Sequence, residues 1–94
     1  MSYQNVRDIF LELCEHYSFD PPDVIKAFPS DPCDYTSITE VRINVEAAKG
    51  LDERQHAAHV FGHWLCELHA EGTDEIANRV ADVIADVLRA SGLT

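Results

Sequence analysis

The run Arg54-Gln55-His56-Ala57-Ala58-His59-Val60-Phe61-Gly62-His63-Trp64-Leu65-Cys66-Glu67-Leu68-His69 holds four of the chain's five histidines and its clearest helical pattern. At 100° per residue, Ala57, Ala58, Phe61, Trp64, Leu65 and Leu68 share one face, which is the expected core face. His56, His59, His63 and Cys66 share the opposite face. His59 and His63 are one turn apart, so both imidazoles can reach one ion. In the HExxH helices of zinc peptidases that spacing holds the metal, and the glutamate after the first histidine activates the bound water. Val60 stands at the glutamate position and can neither take a proton nor deliver one. The helix therefore has the frame of a metal site without the base of a hydrolase, and no catalytic residue is assigned.

The pattern extends on both sides. The histidine helix should cover about Asp52 to Ala70. Gly72-Thr73 then breaks the chain, and Thr73 is placed to cap a last helix, with Asp74 and Glu75 favourable in its first turn. That helix runs to about Ala90, before Ser91-Gly92, and should pack antiparallel to the histidine helix through Ile76, Val80, Val83, Ile84, Val87 and Leu88. Its other side carries Glu75, Asp82 and Asp86, an acidic stripe.

Upstream, Val41, Ile43 and Val45 alternate with Arg42 and Asn44, which predicts a strand over about Glu40–Glu46. Ile38, Val41, Val45 and Ala48 also fit a helix, with Ser37 and Glu40 at capping-box spacing and Gly50 at the stop. A strand needs a partner, which the Cys33–Thr36 region or a second subunit would supply. Before that, Asp20-Pro21-Pro22-Asp23 breaks the chain, a short helix is expected over Asp23 to Phe28, and Pro29 stops it. Ser30-Asp31-Pro32-Cys33-Asp34 reads as loop. A first helix is expected from Asn5 to Tyr17, with Val6, Ile9, Phe10, Leu13 and Tyr17 at helical spacing. The expected fold is one mainly α domain over residues 1–94, with three to four helices and one short β element. A helix-rich α+β fold is the alternative.

The segment Arg54 to Leu65 resembles the helix of ImmA/IrrE-like zinc metallopeptidase domains, with Ala58, His59, Gly62, His63 and Leu65 matching its pattern. Arg42-Ile43-Asn44 resembles the short strand that precedes that helix. Glu75-Ile76-Ala77-Asn78-Arg79-Val80-Ala81 is similar to the downstream segment whose glutamate is the third zinc ligand, with Val80 in place of an aromatic. The resemblance covers about half the chain. It implies zinc as cofactor, with His59, His63 and Glu75 as ligands, and a link to mobile-element regulators. Cys66, three residues from His63 on the same face, is a rival third ligand.

Composition limits the remaining readings. Seventeen Asp and Glu against seven Lys and Arg give a net charge of −10, which lacks the basic footprint of a nucleic-acid binder and disfavours anionic membranes. No stretch reaches the ~18 apolar residues of a membrane span. The start, Met1-Ser2-Tyr3-Gln4-Asn5, has no basic or apolar leader pattern, so no signal peptide is expected. Cys14, Cys33 and Cys66 form no CxxC pair, which suits reduced thiols in the cytoplasm. No P-loop, GxSxG or dinucleotide motif is present.

Two function classes follow. The first is a non-catalytic acidic interaction protein, an inhibitor of phage or mobile-element type that imitates DNA charge as anti-CRISPR proteins do. It needs no cofactor and binds a protein with a basic surface through His56, Glu75, Asp82 and Asp86, as a monomer or a homodimer. The second is a degenerate ImmA/IrrE-like protein that binds zinc.

Overall fold

Alternating apolar side chains on one short strand decide the architecture. In the computed structural model, which describes residues 2–47, 50–71 and positions 73, 75, 76, 79, 80, 83, 86 and 87, Val41 and Ile43 are buried while Glu40 and Arg42 are only partly covered. This strand, β3 (Glu40–Ile43), is the centre of a three-stranded sheet ordered β1-β3-β2. β1 (Asp23–Lys26) pairs with it in parallel, with Val24 opposite Val41 and Ile25 opposite Arg42. β2 (Tyr35–Thr36) pairs antiparallel, with Tyr35 opposite Arg42. The expected partner strand from the Cys33–Thr36 region is therefore β2.

Helix α1 (Tyr3–His16) precedes the sheet, and α2 (Glu53–Glu71) follows it after a 3-10 turn over Val45–Ala47. Ser2 caps α1, its Oγ accepting from the Asn5 amide. At the other end, Ser18 adopts φ 61°, and the Phe19 amide donates back to the Cys14 carbonyl, a Schellman closure at a non-glycine residue. Asp52 and Gln55 cap α2 reciprocally: the Gln55 amide donates to Asp52 Oδ1 at 2.7 Å and the Asp52 amide to Gln55 Oε1 at 3.1 Å. Glu53 ties the two helix starts together, accepting from the Ser2 amide and from Asn5 Nδ2.

The core lies where both helices meet the inner sheet face. Val6, Phe10 and Cys14 from α1, Phe19, Val41 and Ile43, and Ala57, Val60, Phe61, Trp64, Leu65 and Leu68 from α2 form one apolar cluster with Val80 and Val87. Phe10 meets Phe61 and Trp64 edge-on at 5.6 and 5.8 Å. The Trp64 indole N–H donates to the Ile38 carbonyl at 3.2 Å, so its one polar atom is satisfied. Full burial of each large side chain contributes about 1.5–3 kcal/mol.

The mainly α expectation is overturned. Among the described residues the structure is α+β, with a three-stranded mixed sheet packed beside α1 and α2 in place of one short β element. The segment expected as a short helix, Asp23 to Phe28, holds β1 instead. Pro21-Pro22 keep the chain extended on entry, Val24 and Ile25 are β-branched, and β3 supplies hydrogen bonds that a single turn of helix could not match. The Asp23 amide donates to the Thr39 carbonyl and the Ala27 amide to Ile43, framing the strand. Ser37 and Glu40, read as a helix cap, do bond to each other, but across the β2–β3 turn: the Ser37 amide donates to the Glu40 carbonyl and the Glu40 amide to Ser37 Oγ. The strand expected through Glu46 ends at Ile43, because Asn44 accepts the Glu46 and Ala47 amides and starts the 3-10 turn.

Of the last expected helix, Glu75, Ile76, Arg79, Val80, Val83, Asp86 and Val87 are helical. The Ile76 amide donates to Thr73 Oγ1, the expected cap. Ile84, Leu88 and Ala90 lie outside the described residues, as does the antiparallel packing of the whole segment. Arg79 reaches back to the end of α1, donating to the Tyr17 and Ser18 carbonyls, with its guanidinium 4.9 Å from the Phe19 ring. No helix among the described residues is long and apolar enough to cross a membrane.

Candidate metal-binding site

His59 and His63 project from consecutive turns of α2 and meet at their tips. Their Nε2 atoms are 3.1 Å apart, with the rings edge to face and centroids at 4.5 Å. Both side chains line a cavity of about 250 Å³ with Val60, Cys33, Asp34 and Thr36. One wall is thus the helix and the other is the segment entering β2.

That second wall is held by polar ties. The Asn44 amide donates to Asp34 Oδ1 at 2.6 Å, and Asn44 Nδ2 donates to the Asp31 carbonyl at 3.0 Å. Asp34 Oδ2 accepts from His56 Nε2 at 2.8 Å. Arg42 braces the same segment from the outer sheet face. Its guanidinium packs 4.0 Å from the Tyr35 ring and 4.9 Å from the Phe28 ring, and its Nε lies 3.3 Å from Asp31 Oδ2. That last contact is an ion pair without hydrogen-bond alignment, since the buried Nε–H has no aligned acceptor among the described residues.

His56 does not lie on the open face that its spacing predicts. It is 1% exposed, because the segment carrying Asp34 folds over the first turn of that face. His59, His63 and Cys66 are exposed as expected. Cys66 does not line the cavity, and Glu75 is exposed and does not line it either. Asp86 is exposed, and Asp82 lies outside the described residues. Cys33 and Asp34 are the site residues that a helical reading misses. The signal was the expected pairing of Cys33–Thr36 with the central strand, which carries both residues toward the helix.

The electrostatics favour a neutral His59 imidazole. Burial lowers the His59 pKa below the usual histidine value, and repulsion from His63 and His56 adds to this while Asp34 opposes it. A neutral ring offers its lone pair to a metal at physiological pH. The spacing of the pair also fits an ion. Two nitrogens at ~2.0–2.1 Å from one tetrahedral centre stand about 3.3 Å apart, close to the observed contact. Among the described residues no three His, Cys, Asp or Glu side chains stand close enough together to hold a metal ion as they are placed. The arrangement is a two-histidine anchor with a cavity in front of it. Val60, fully buried, follows His59 and carries no proton-transfer group.

Compared with protein-family models, with curated proteins and with solved structures, the chain matches none.

Proposed function

We propose that the protein binds a transition metal, zinc in the first instance, through His59 and His63, and that it does so without hydrolysing peptides. The observation that carries this reading is the 3.1 Å approach of two Nε2 atoms that share a cavity and have no other hydrogen bond among the described residues. Imidazoles suit zinc, copper and nickel and do not select calcium or magnesium. Val60 at the position of a base supports binding or structure over hydrolysis. The kinship with ImmA/IrrE-like domains belongs to the same proposal and rests on Ala58, His59, Gly62, His63 and Leu65 with the strand just before them. A cytoplasmic setting, which keeps Cys33 and Cys66 reduced, completes it. Elemental analysis of protein purified without a histidine tag tests the reading: about one zinc per chain is expected, and none in His59→Ala or His63→Ala. Metal-free wild-type protein that takes up no zinc on addition of the ion would overturn it.

A second reading has its own support. Asp8, Glu12 and Glu15 are all exposed along α1, one helical turn apart, on a chain of net charge −10. An acidic row of this kind suits a basic protein partner. Pull-down with wild-type protein and with Glu12→Lys plus Glu15→Lys, at low and high salt, tests it. Salt-insensitive capture would remove charge imitation as the mode of binding.

A further inference from the structure

We infer that Cys33 is the third ligand of this site, giving a two-histidine, one-thiolate centre with a fourth position open to solvent or a small ligand. The inference rests on the metal-binding reading of His59 and His63 and assigns what completes it. Two histidines alone leave a zinc-type ion short of the three protein donors that open sites use. Among the described residues the cavity's other wall offers the further donors Cys33, Asp34 and Thr36.

Asp34 is already committed through both oxygens, to the Asn44 amide and to His56. Turning it onto an ion would strip a fully buried histidine of its carboxylate, which is strongly unfavourable. Thr36 carries a hydroxyl, a weak donor for a soft ion. Cys33 is exposed, is a free thiol and makes no hydrogen bond among the described residues. Its neighbour Asp34 is anchored, so the Cys33 backbone is held at the cavity while its side chain remains free to turn inward. The other cysteines do not compete: Cys14 is buried in the core with its thiol pushed up to about 12, and Cys66 lies outside the cavity. Ligation needs only the thiol proton to pass to solvent as the sulfur binds the ion, with no change of oxidation state. The donor set selects zinc, cobalt(II) or copper over magnesium or calcium.

Cobalt(II) is the probe, titrated into the full untagged chain under reducing conditions and followed by absorption. Wild-type protein should show the visible bands of four-coordinate cobalt together with a near-ultraviolet sulfur-to-cobalt charge-transfer band. Cys33→Ser should lose the charge-transfer band and bind cobalt about tenfold or more weakly, while keeping visible bands. Cys66→Ser should match wild type in both. A charge-transfer band that is absent from wild type, survives in Cys33→Ser or disappears in Cys66→Ser overturns the assignment of Cys33. Visible bands without the charge-transfer band would leave the histidine site standing alone. No visible bands in wild type would overturn the histidine site as well.

Discussion

His56 and the pair His59/His63 stand on the same side of α2, within two turns of each other, in opposite surroundings. The first turn is roofed by the segment entering β2, and His56 is sealed beneath it with Asp34 as counterpart. One turn further on, the same segment stands away from the helix and leaves a cavity, and among the described residues His59 and His63 hydrogen-bond only with each other. A buried histidine with a dedicated carboxylate is a fastening: its hydrogen bond is worth most when nothing disturbs it. Two partly exposed histidines touching tip to tip gain little from that contact in water. The difference separates residues that hold the wall in place from residues that the wall leaves available.

Four measurements break or sharpen that contrast. The largest effect should come from the fastening. Asp34→Ala leaves His56 buried without its carboxylate and unties the Asn44 amide, and the unfolding free energy should fall by about 3 kcal/mol in urea. A loss under 1 kcal/mol would mean that the first turn is not held in this way. Next in size is the loss of an anchor. His59→Ala should weaken zinc binding by about 100-fold in competition with a chelating dye, equal to about 2.7 kcal/mol. Equal affinity in the variant would place the ion elsewhere.

The third measurement is the counterpart of the first. In metal-free protein, His59→Ala should shift stability by no more than about 0.5 kcal/mol, as for exposed positions without structural partners. A loss comparable to that of Asp34→Ala would make both turns structural. The smallest effect is one of pH. The folded state holds His59 below the usual histidine pKa, so the unfolded chain binds the proton more readily. Its contribution is therefore fully present above about pH 6.5 and is lost as pH falls below that. Metal-free wild-type protein should lose slightly more stability between pH 7.5 and 5.5 than His59→Ala does, and a steeper loss in the variant would reverse the assigned direction.

The sequence made α2 legible because its apolar period is long and its core face is wide: Ala57, Phe61, Trp64, Leu65 and Leu68 are all buried as their spacing requires. Val41 and Ile43 were legible as a half-buried strand for the same reason, with a period of two. β1 was not. Four residues after two prolines carry little local pattern, and the strand exists because β3, far along the chain, pairs with it. The histidine face was half legible. Helical spacing tells which side chains share a side, but not what another segment lays across them, so it places His56 in the open while His56 lies under Asp34. Cys33 was not legible, because a loop residue has no period to betray its position. Only its link to β2 brings it beside the histidines.

The contact between His59 and His63 also constrains the tautomers of the pair. Between two neutral rings, a hydrogen bond at 3.1 Å needs one Nε2–H as donor and one bare Nε2 as acceptor. An ion held by both tips needs both of those nitrogens bare, so one ring, and only one, must move its hydrogen to Nδ1. Nitrogen-15 spectra of the two imidazoles would then show unlike tautomers before loading and like tautomers after it, and the ring that changes would name the donor of the metal-free pair.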